Sequence, residues 1–113
     1  MHELGVVMEV VKNVEQVAQH NRVTVIDKLI LQIGELSSMI PRYVEACYPA
    51  AVDGTMLENT TLEIEVIPAN ARCNGCGHIY RLMEHKEGCP KCKDGDRVLL
   101  RGKEFLIKEI VAK

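Results

Sequence analysis

Four cysteines fall as Cys73-Asn74-Gly75-Cys76 and Cys89-Pro90-Lys91-Cys92, with twelve residues between the two pairs. Two residues between thiolates let both sulfurs of a tight turn face one ion. Two such turns close a four-sulfur cage with metal–sulfur distances of about 2.3 Å. The chemistry is tetrahedral metal binding, and zinc is the metal that best suits four thiolates. Four protein ligands leave no open position for water or substrate, so the site reads as structural. Iron in the same cage would make an electron carrier, and a metal-responsive cage would make a sensor; spacing alone leaves both open. His78 and His85 lie close by in sequence, but a complete quartet makes them unnecessary as ligands. Cys47, the fifth cysteine, falls among apolar positions and is expected to be a small buried hydrophobe.

A second set of ligand-type residues stands at the start, Met1-His2-Glu3-Leu4. The Met1 amine, the His2 backbone nitrogen and the His2 imidazole can form fused chelate rings in one plane. Square-planar nitrogen coordination suits Ni(II) or Cu(II), with Glu3, a nearby backbone nitrogen or another protein supplying the fourth position. The backbone nitrogen must lose its proton, so binding strengthens as pH rises. The plainer alternative is that Glu3 complements the positive end of a helix and His2 is simply solvated.

These groups need elements to position them. Leu4, Val7, Met8, Val11, Val14, Val17 and Ala18 recur every three or four residues, which predicts a helix over about 4–20, with Asn21 as its cap and His20 in its last turn. Residues 23–33 are rich in β-branched types, and Leu29, Leu31 and Ile33 alternate with Lys28, Ile30 and Gln32 as in a strand backed by helices, ended by Gly34. Pro41 opens a second helix whose Val44, Cys47, Tyr48 and Ala51 share a face, and Asp53-Gly54 is its exit. Pro49 lies inside this helix, where it removes a donor and crowds the Glu45 carbonyl, so a kink or early break is expected. Leu62, Ile64 and Val66 alternate with Glu63 and Glu65 in a second strand, closed by Pro68, and residues 104–111 form a third. The fold class is therefore α+β: a three-stranded sheet covered by two helices, with a zinc ribbon inserted ahead of the last strand. Residues 1–68 together with 104–113 form one domain, and residues 69–103 form the ribbon.

Composition agrees with that division. Among 113 residues there is no Trp, and the aromatics are Phe105, Tyr43, Tyr48 and Tyr80, so the main core must be aliphatic. The formal net charge of −2 argues against a general polyanion binder. Between Arg72 and Lys103 eight Lys or Arg face Glu84, Glu87, Asp94 and Asp96, and a zinc tetrathiolate would cancel about two of the surplus charges. A ribbon that binds nucleic acid, or acts as an adaptor, is the second class to weigh; its basic residues Arg72, Arg81, Lys91, Arg97 and Arg101 permit it, but stacking aromatics are nearly absent. No apolar run reaches the length of about 18 residues that a membrane span needs, and the start lacks the pattern of a signal peptide. A cytoplasmic setting is expected, where reduction favours metal-bound cysteines over disulfides. A nucleophile with a paired base, or a phosphate-cradling loop, is not evident, so an enzyme is not expected.

Taken in order, Met1-His2-Glu3-Leu4, Leu31-Gln32-Ile33-Gly34-Glu35-Leu36-Ser37, the cysteine quartet and Gly102-Lys103-Glu104-Phe105-Leu106-Ile107-Lys108-Glu109-Ile110 resemble the HypA family of hydrogenase nickel-incorporation proteins, collinearly over essentially the whole chain. The resemblance implies a nickel metallochaperone for maturation of [NiFe]-hydrogenase and, in some organisms, of urease. It places the nickel site at His2, with the Met1 amine and Glu3 as further ligands or supports, and the structural zinc site at Cys73, Cys76, Cys89 and Cys92. The partners it implies are a HypB-type GTPase, the hydrogenase large subunit and urease maturation proteins, with no nucleic acid or membrane partner and with self-association left open. Three positions depart from the family pattern: Ile40, where some members carry Asp; Pro49, in a helix usually read as continuous; and Lys93, where a small residue usually follows the last cysteine.

Overall fold

The computed structural model describes residues 2–113. Its elements run α1 (Glu3–His20), β1 (Ile26–Gly34), α2 (Pro41–Val52), β2 (Thr61–Ile67), β3 (Asn70–Cys73), β4 (Ile79–Arg81), a single 3₁₀ turn (Leu82–Glu84), β5 (Arg97–Arg101) and β6 (Phe105–Ala112). Two three-stranded sheets result, ordered β2-β1-β6 and β4-β3-β5.

Helix α1 turns Val7, Val11, Val14 and Ala18 inward, none more than 3% exposed. That stripe is narrower than the sequence period suggests: Leu4, Met8 and Val17 flank it and are 44–53% exposed. The helix ends in a Schellman motif, with the Val23 N–H donating to Ala18 O at 2.8 Å and the Arg22 N–H to Gln19 O at 3.1 Å. Asn21 caps it as expected, its Nδ2 donating to Val17 O at 2.8 Å. Arg22 takes the left-handed position (φ 59°) that glycine usually fills, and the turn delays β1 to Ile26.

Strand β1 is the spine of the first sheet. It pairs in parallel with β2 (Leu29 opposite Leu62, Leu31 opposite Ile64) and antiparallel with β6 (Leu29 opposite Ile110, Ile33 opposite Phe105). A parallel pair needs a crossover, and α2 supplies it. Leu29, Leu31 and Ile33 are at most 1% exposed and meet α1 together with Val44, Tyr48, Ala51 and Val52 of α2. The opposite face is solvated and charged: Lys28 pairs with Glu63 at 3.3 Å and Lys108 with Glu65 at 2.6 Å.

Pro49 does not break α2, which runs on through Val52. The residue lies in the final turn, and the residues around it are held from the side. Tyr48 donates its hydroxyl to Thr60 O at 3.0 Å, Thr60 donates its own to Ile26 O at 2.7 Å, and Ala51 and Val52 are buried in the core. Burial pushes the Tyr48 phenol up to about 12, keeping it a neutral donor.

The second sheet lies between β2 and β6 in sequence, and all its pairings are antiparallel. Its buried cluster is small, comprising Ala71, Cys73, Tyr80 and Cys89 with Leu82 against them. So little apolar area cannot hold a fold by itself. The whole chain is long, 54 × 27 × 17 Å, and its radius of gyration of 17.7 Å exceeds the roughly 13 Å of a compact chain this size. No helix among the described residues is long and apolar enough to cross a membrane.

Candidate metal centre

The four cysteines come from two turns of the same build. In the first, the Gly75 N–H donates to Cys73 Sγ at 3.3 Å and the Gly77 N–H to Cys73 O at 2.9 Å. In the second, the Lys91 N–H donates to Cys89 Sγ at 3.3 Å and the Lys93 N–H to Cys89 O at 2.8 Å. Each turn closes on a left-handed residue directly after its second cysteine, Gly77 (φ 79°) in one and Lys93 (φ 67°) in the other. The turns are tied together where the Asn74 N–H donates to Asp96 O at 3.0 Å and the Cys89 N–H to Asp94 O at 2.9 Å.

This backbone brings all four sulfurs within 4.8 Å of one another, with Cys73 and Cys92 at 3.3 Å and Cys76 and Cys89 at 3.7 Å. A tetrahedron with arms of about 2.3 Å has edges of about 3.8 Å, so the cage has the dimensions of a zinc tetrathiolate. Cys73 and Cys89 are buried, while Cys76 and Cys92 face solvent. Burial pushes the Cys89 thiol up, but the N–H groups of Cys92 and Lys91 outweigh it and bring the group down to about 7. Cys92 behaves oppositely. The Asp94 N–H favours its thiolate, yet the neighbouring sulfurs, Cys73 first, push it up to about 12. The Cys89 thiolate forms readily, while that of Cys92 resists unless a cation compensates it. Among the described residues this is the one group of three or more ligand-type side chains with metal-site geometry. His78 and His85 are not in it; their rings flank Tyr80 at 6.4 and 6.1 Å.

The other ligand-type residues sit at the start of α1. His2 has φ −112° and ψ 10°, accepts the first helical hydrogen bond from the Val6 N–H at 3.1 Å, and exposes a side chain that makes no capping bond. Glu3 follows in the first turn and is 7% exposed. Its carboxyl is held below the usual carboxylate range, chiefly by its own backbone N–H and further by His2. Met1, the remaining expected ligand, lies outside the described residues. Beside Glu3 runs an open groove of about 330 Å³ lined by Glu3, Leu4, Tyr43, Ala46 and Cys47.

That groove corrects the expectation for Cys47. The residue is half-buried at the edge of α2's inner face, with its Sγ 3.5 Å from Val44 O. Desolvation pushes its thiol up, so it stays protonated. The groove was not read from the sequence, since it is formed by two helices some forty residues apart; the exposed stripe residue Leu4 and the aromatic Tyr43 are its only local traces.

The geometry defines a class: an α+β sheet that carries an inserted ribbon with a structural-type four-thiolate metal site. Known proteins narrow it. A family model described as hydrogenase/urease nickel incorporation, metallochaperone, hypA matches residues 1–112. Proteins named hydrogenase maturation factor HypA are similar over almost the whole length. That of Dehalococcoides mccartyi is 33% identical, covering 97% of this chain and 92% of its own, and that of Streptomyces avermitilis is 36% identical, covering 97% and 86%. Among solved structures, the Ni metallochaperone HypA from Helicobacter pylori has the same fold with a TM-score of 0.68 at 21% identity over 99% of this chain and 97% of its own. A second HypA solution structure gives 0.74 at 22% identity over 100% and 97%. The chain belongs to the HypA family of hydrogenase/urease nickel-incorporation metallochaperones.

Proposed function

We propose that the chain carries Ni(II) at its N-terminus and hands it to a partner by ligand exchange. His2 is the principal ligand through its imidazole and backbone nitrogen, the Met1 amine completes the chelate, and Glu3 serves as a ligand or support. The observation that carries this reading is the position of His2: it stands immediately before a helix whose inner stripe is packed into the core, with an exposed imidazole and a buried carboxylate next to it. A chelate on such a rigid edge is accessible to an incoming partner ligand while its backbone arm is held in place. Cargo must leave as well as bind, and an open edge suits that better than an enclosed cage.

Cys73, Cys76, Cys89 and Cys92 hold structural Zn(II), which supplies the stability that the ribbon's small core lacks. On this reading residues 1–68 with 104–113 are the nickel-handling domain and residues 69–103 the zinc-ribbon domain. The chain works in the cytoplasm with a HypB-type GTPase, delivers to the [NiFe]-hydrogenase large subunit, and also serves urease maturation. A nucleic-acid role for the ribbon finds little support, because its one aromatic, Tyr80, is 5% exposed and offers no base a stacking surface.

The test is nickel calorimetry on zinc-loaded protein. His2→Ala abolishes stoichiometric nickel binding while zinc content stays unchanged, and an uncleaved extension that blocks the Met1 amine weakens binding. Full nickel affinity in His2→Ala sinks the assignment.

A further inference from the structure

Two segments of chain join the sheet to the ribbon, one leaving β2 at Ile67 and one returning to β6 at Phe105. Both are tied to the turn that follows β1. The Glu35 N–H donates to Ile67 O at 2.9 Å, the Leu36 N–H to Gly102 O at 2.7 Å and the Gly34 N–H to Glu104 O at 2.7 Å. Packing there is at backbone contact. A Cβ on Gly34 would overlap the carbonyl of Gly102, and one on Gly102 would stand 2.6 Å from Ala69 Cα. These bonds fix where the ribbon is attached. They leave its angle to be set by what reaches beyond the attachment point.

At the returning segment the Gly102 N–H donates to Glu104 Oε1 at 2.7 Å. Among the described residues, the other side-chain hydrogen bonds that cross from the first sheet's part of the chain to the ribbon converge on Glu35. Its Oε1 accepts from the Ala69 N–H at 2.7 Å, and its two oxygens lie 3.4 and 3.3 Å from the Arg81 guanidinium on β4. Arg81 is shared: Glu84, within the ribbon itself, lies 3.4 Å from its other nitrogen. The Ala69 bond is part-buried, whereas Arg81 is 48% exposed and has a second acceptor to turn to.

We propose that Glu35 is a clasp that holds the ribbon at one angle to the β2-β1-β6 sheet, with Arg81 as the arm that lets go. The elongated shape supports this, since a ribbon touching the sheet mainly at its attachment has little else to orient it. The clasp also has a route to the N-terminal groove. Glu35 and Leu36 lead through Ser37 and the buried Met39 into α2, whose Tyr43, Ala46 and Cys47 form one wall of that groove. Ribbon angle and groove shape thus share one segment of chain. Screening of the exposed Arg81 arm by salt loosens the clasp without touching the zinc cage.

Backbone ¹⁵N relaxation on the full, zinc-loaded chain tests the clasp. In the unaltered protein at low salt, ribbon and sheet amides share one rotational correlation time. Glu35→Ala lowers the R2/R1 ratio of ribbon amides by about a third or more while sheet amides and zinc content hold. Glu35→Gln, which keeps an acceptor for Ala69, and Arg81→Met give smaller drops, and high salt reproduces the Arg81→Met drop in the unaltered protein. If Glu35→Ala fails to fold, the Glu35→Gln and Arg81→Met pair decides. Independent tumbling of the ribbon before any substitution, or no drop in any variant, overturns the proposal.

Discussion

The two regions that carry ligand-type residues are built in opposite ways. In the ribbon, two of the four cysteines are interior residues: Cys73 and Cys89 are each 1% exposed, and they are half of the ribbon's buried cluster. At the N-terminus, His2 projects from a helix whose inner face is filled with Val7, Val11, Val14 and Ala18, and nothing in that core depends on a ligand. A metal that substitutes for a core cannot leave without unfolding what it holds. A metal perched on a finished core can come and go. Under the proposed function that contrast suits a carrier, with one site for permanence and one for exchange, and it gives separate predictions for each end.

The largest effect is expected from opening the cage. Cys73→Ser removes a buried ligand, and because structural zinc contributes on the order of 10–16 kcal/mol in small modules, the ribbon loses zinc and unfolds. Residues of the β2-β1-β6 sheet keep their dispersed amide resonances. A folded, zinc-loaded Cys73→Ser protein would remove Cys73 from the cage, and collapse of the sheet along with the ribbon would abolish the contrast. Acid acts in the same direction, since protons compete with the cation for thiolates, so zinc is retained at neutral pH and lost as pH falls.

A somewhat smaller effect, confined to the other end, is expected for Leu31→Ala. Leu31 is 1% exposed between the helices and the central strand, and such truncations cost about 3–5 kcal/mol through lost burial and the cavity left behind. Thermal unfolding of the sheet, followed by circular dichroism, shifts to lower temperature. Zinc content measured on the folded protein stays at one ion per chain; loss of zinc in this variant would show that the two cores are one.

Smallest is a gain. Lys93 closes the second cysteine turn at φ 67°, where Gly77 closes the first. A left-handed conformation costs a side-chain-bearing residue about 1 kcal/mol, so Lys93→Gly should tighten zinc against a competing chelator by several-fold. Slower tightening than this is uninformative about the sheet, but weaker zinc binding would mean that the Lys93 side chain assists the cage in a way its backbone angle does not reveal.

Much of this was legible along the chain, for a physical reason. The cysteine spacing, the alternation of Leu29, Leu31 and Ile33, and that of Leu62 and Ile64 are local patterns imposed by a metal's geometry or a strand's two-residue period, and the fold keeps them. Val66, expected to continue the second alternation, is 52% exposed, and Ile67 is buried instead. Failures came where distant contacts decide. Pro49 implied a kink or an early break because its local penalty is readable; the early break does not occur, and the hydroxyl chain from Tyr48 through Thr60 to Ile26 beside it is not readable from the sequence. Leu4, Met8 and Val17 share the helical period of the buried residues, yet the contact is too narrow to cover them. Cys47 sits on the expected face but at its open edge, beside a groove made by two helices. Strands β3, β4 and β5 are three to five residues long, with arginines among their apolar residues, too short to show a readable period, and the cysteine turns bracket them. Glu35 was read as part of a motif; its grip on Ala69 and Arg81 appears only in three dimensions.

The division between a permanent and an exchangeable site is tested most directly by X-ray absorption at the nickel and zinc edges of the doubly loaded protein. The zinc edge should show four sulfur neighbours at about 2.3 Å. The nickel edge should show nitrogen and oxygen neighbours alone, in the planar pattern of an amine–amide–imidazole chelate. Sulfur around nickel, or histidine nitrogen replacing sulfur around zinc once nickel is added, would contradict two sites that act apart.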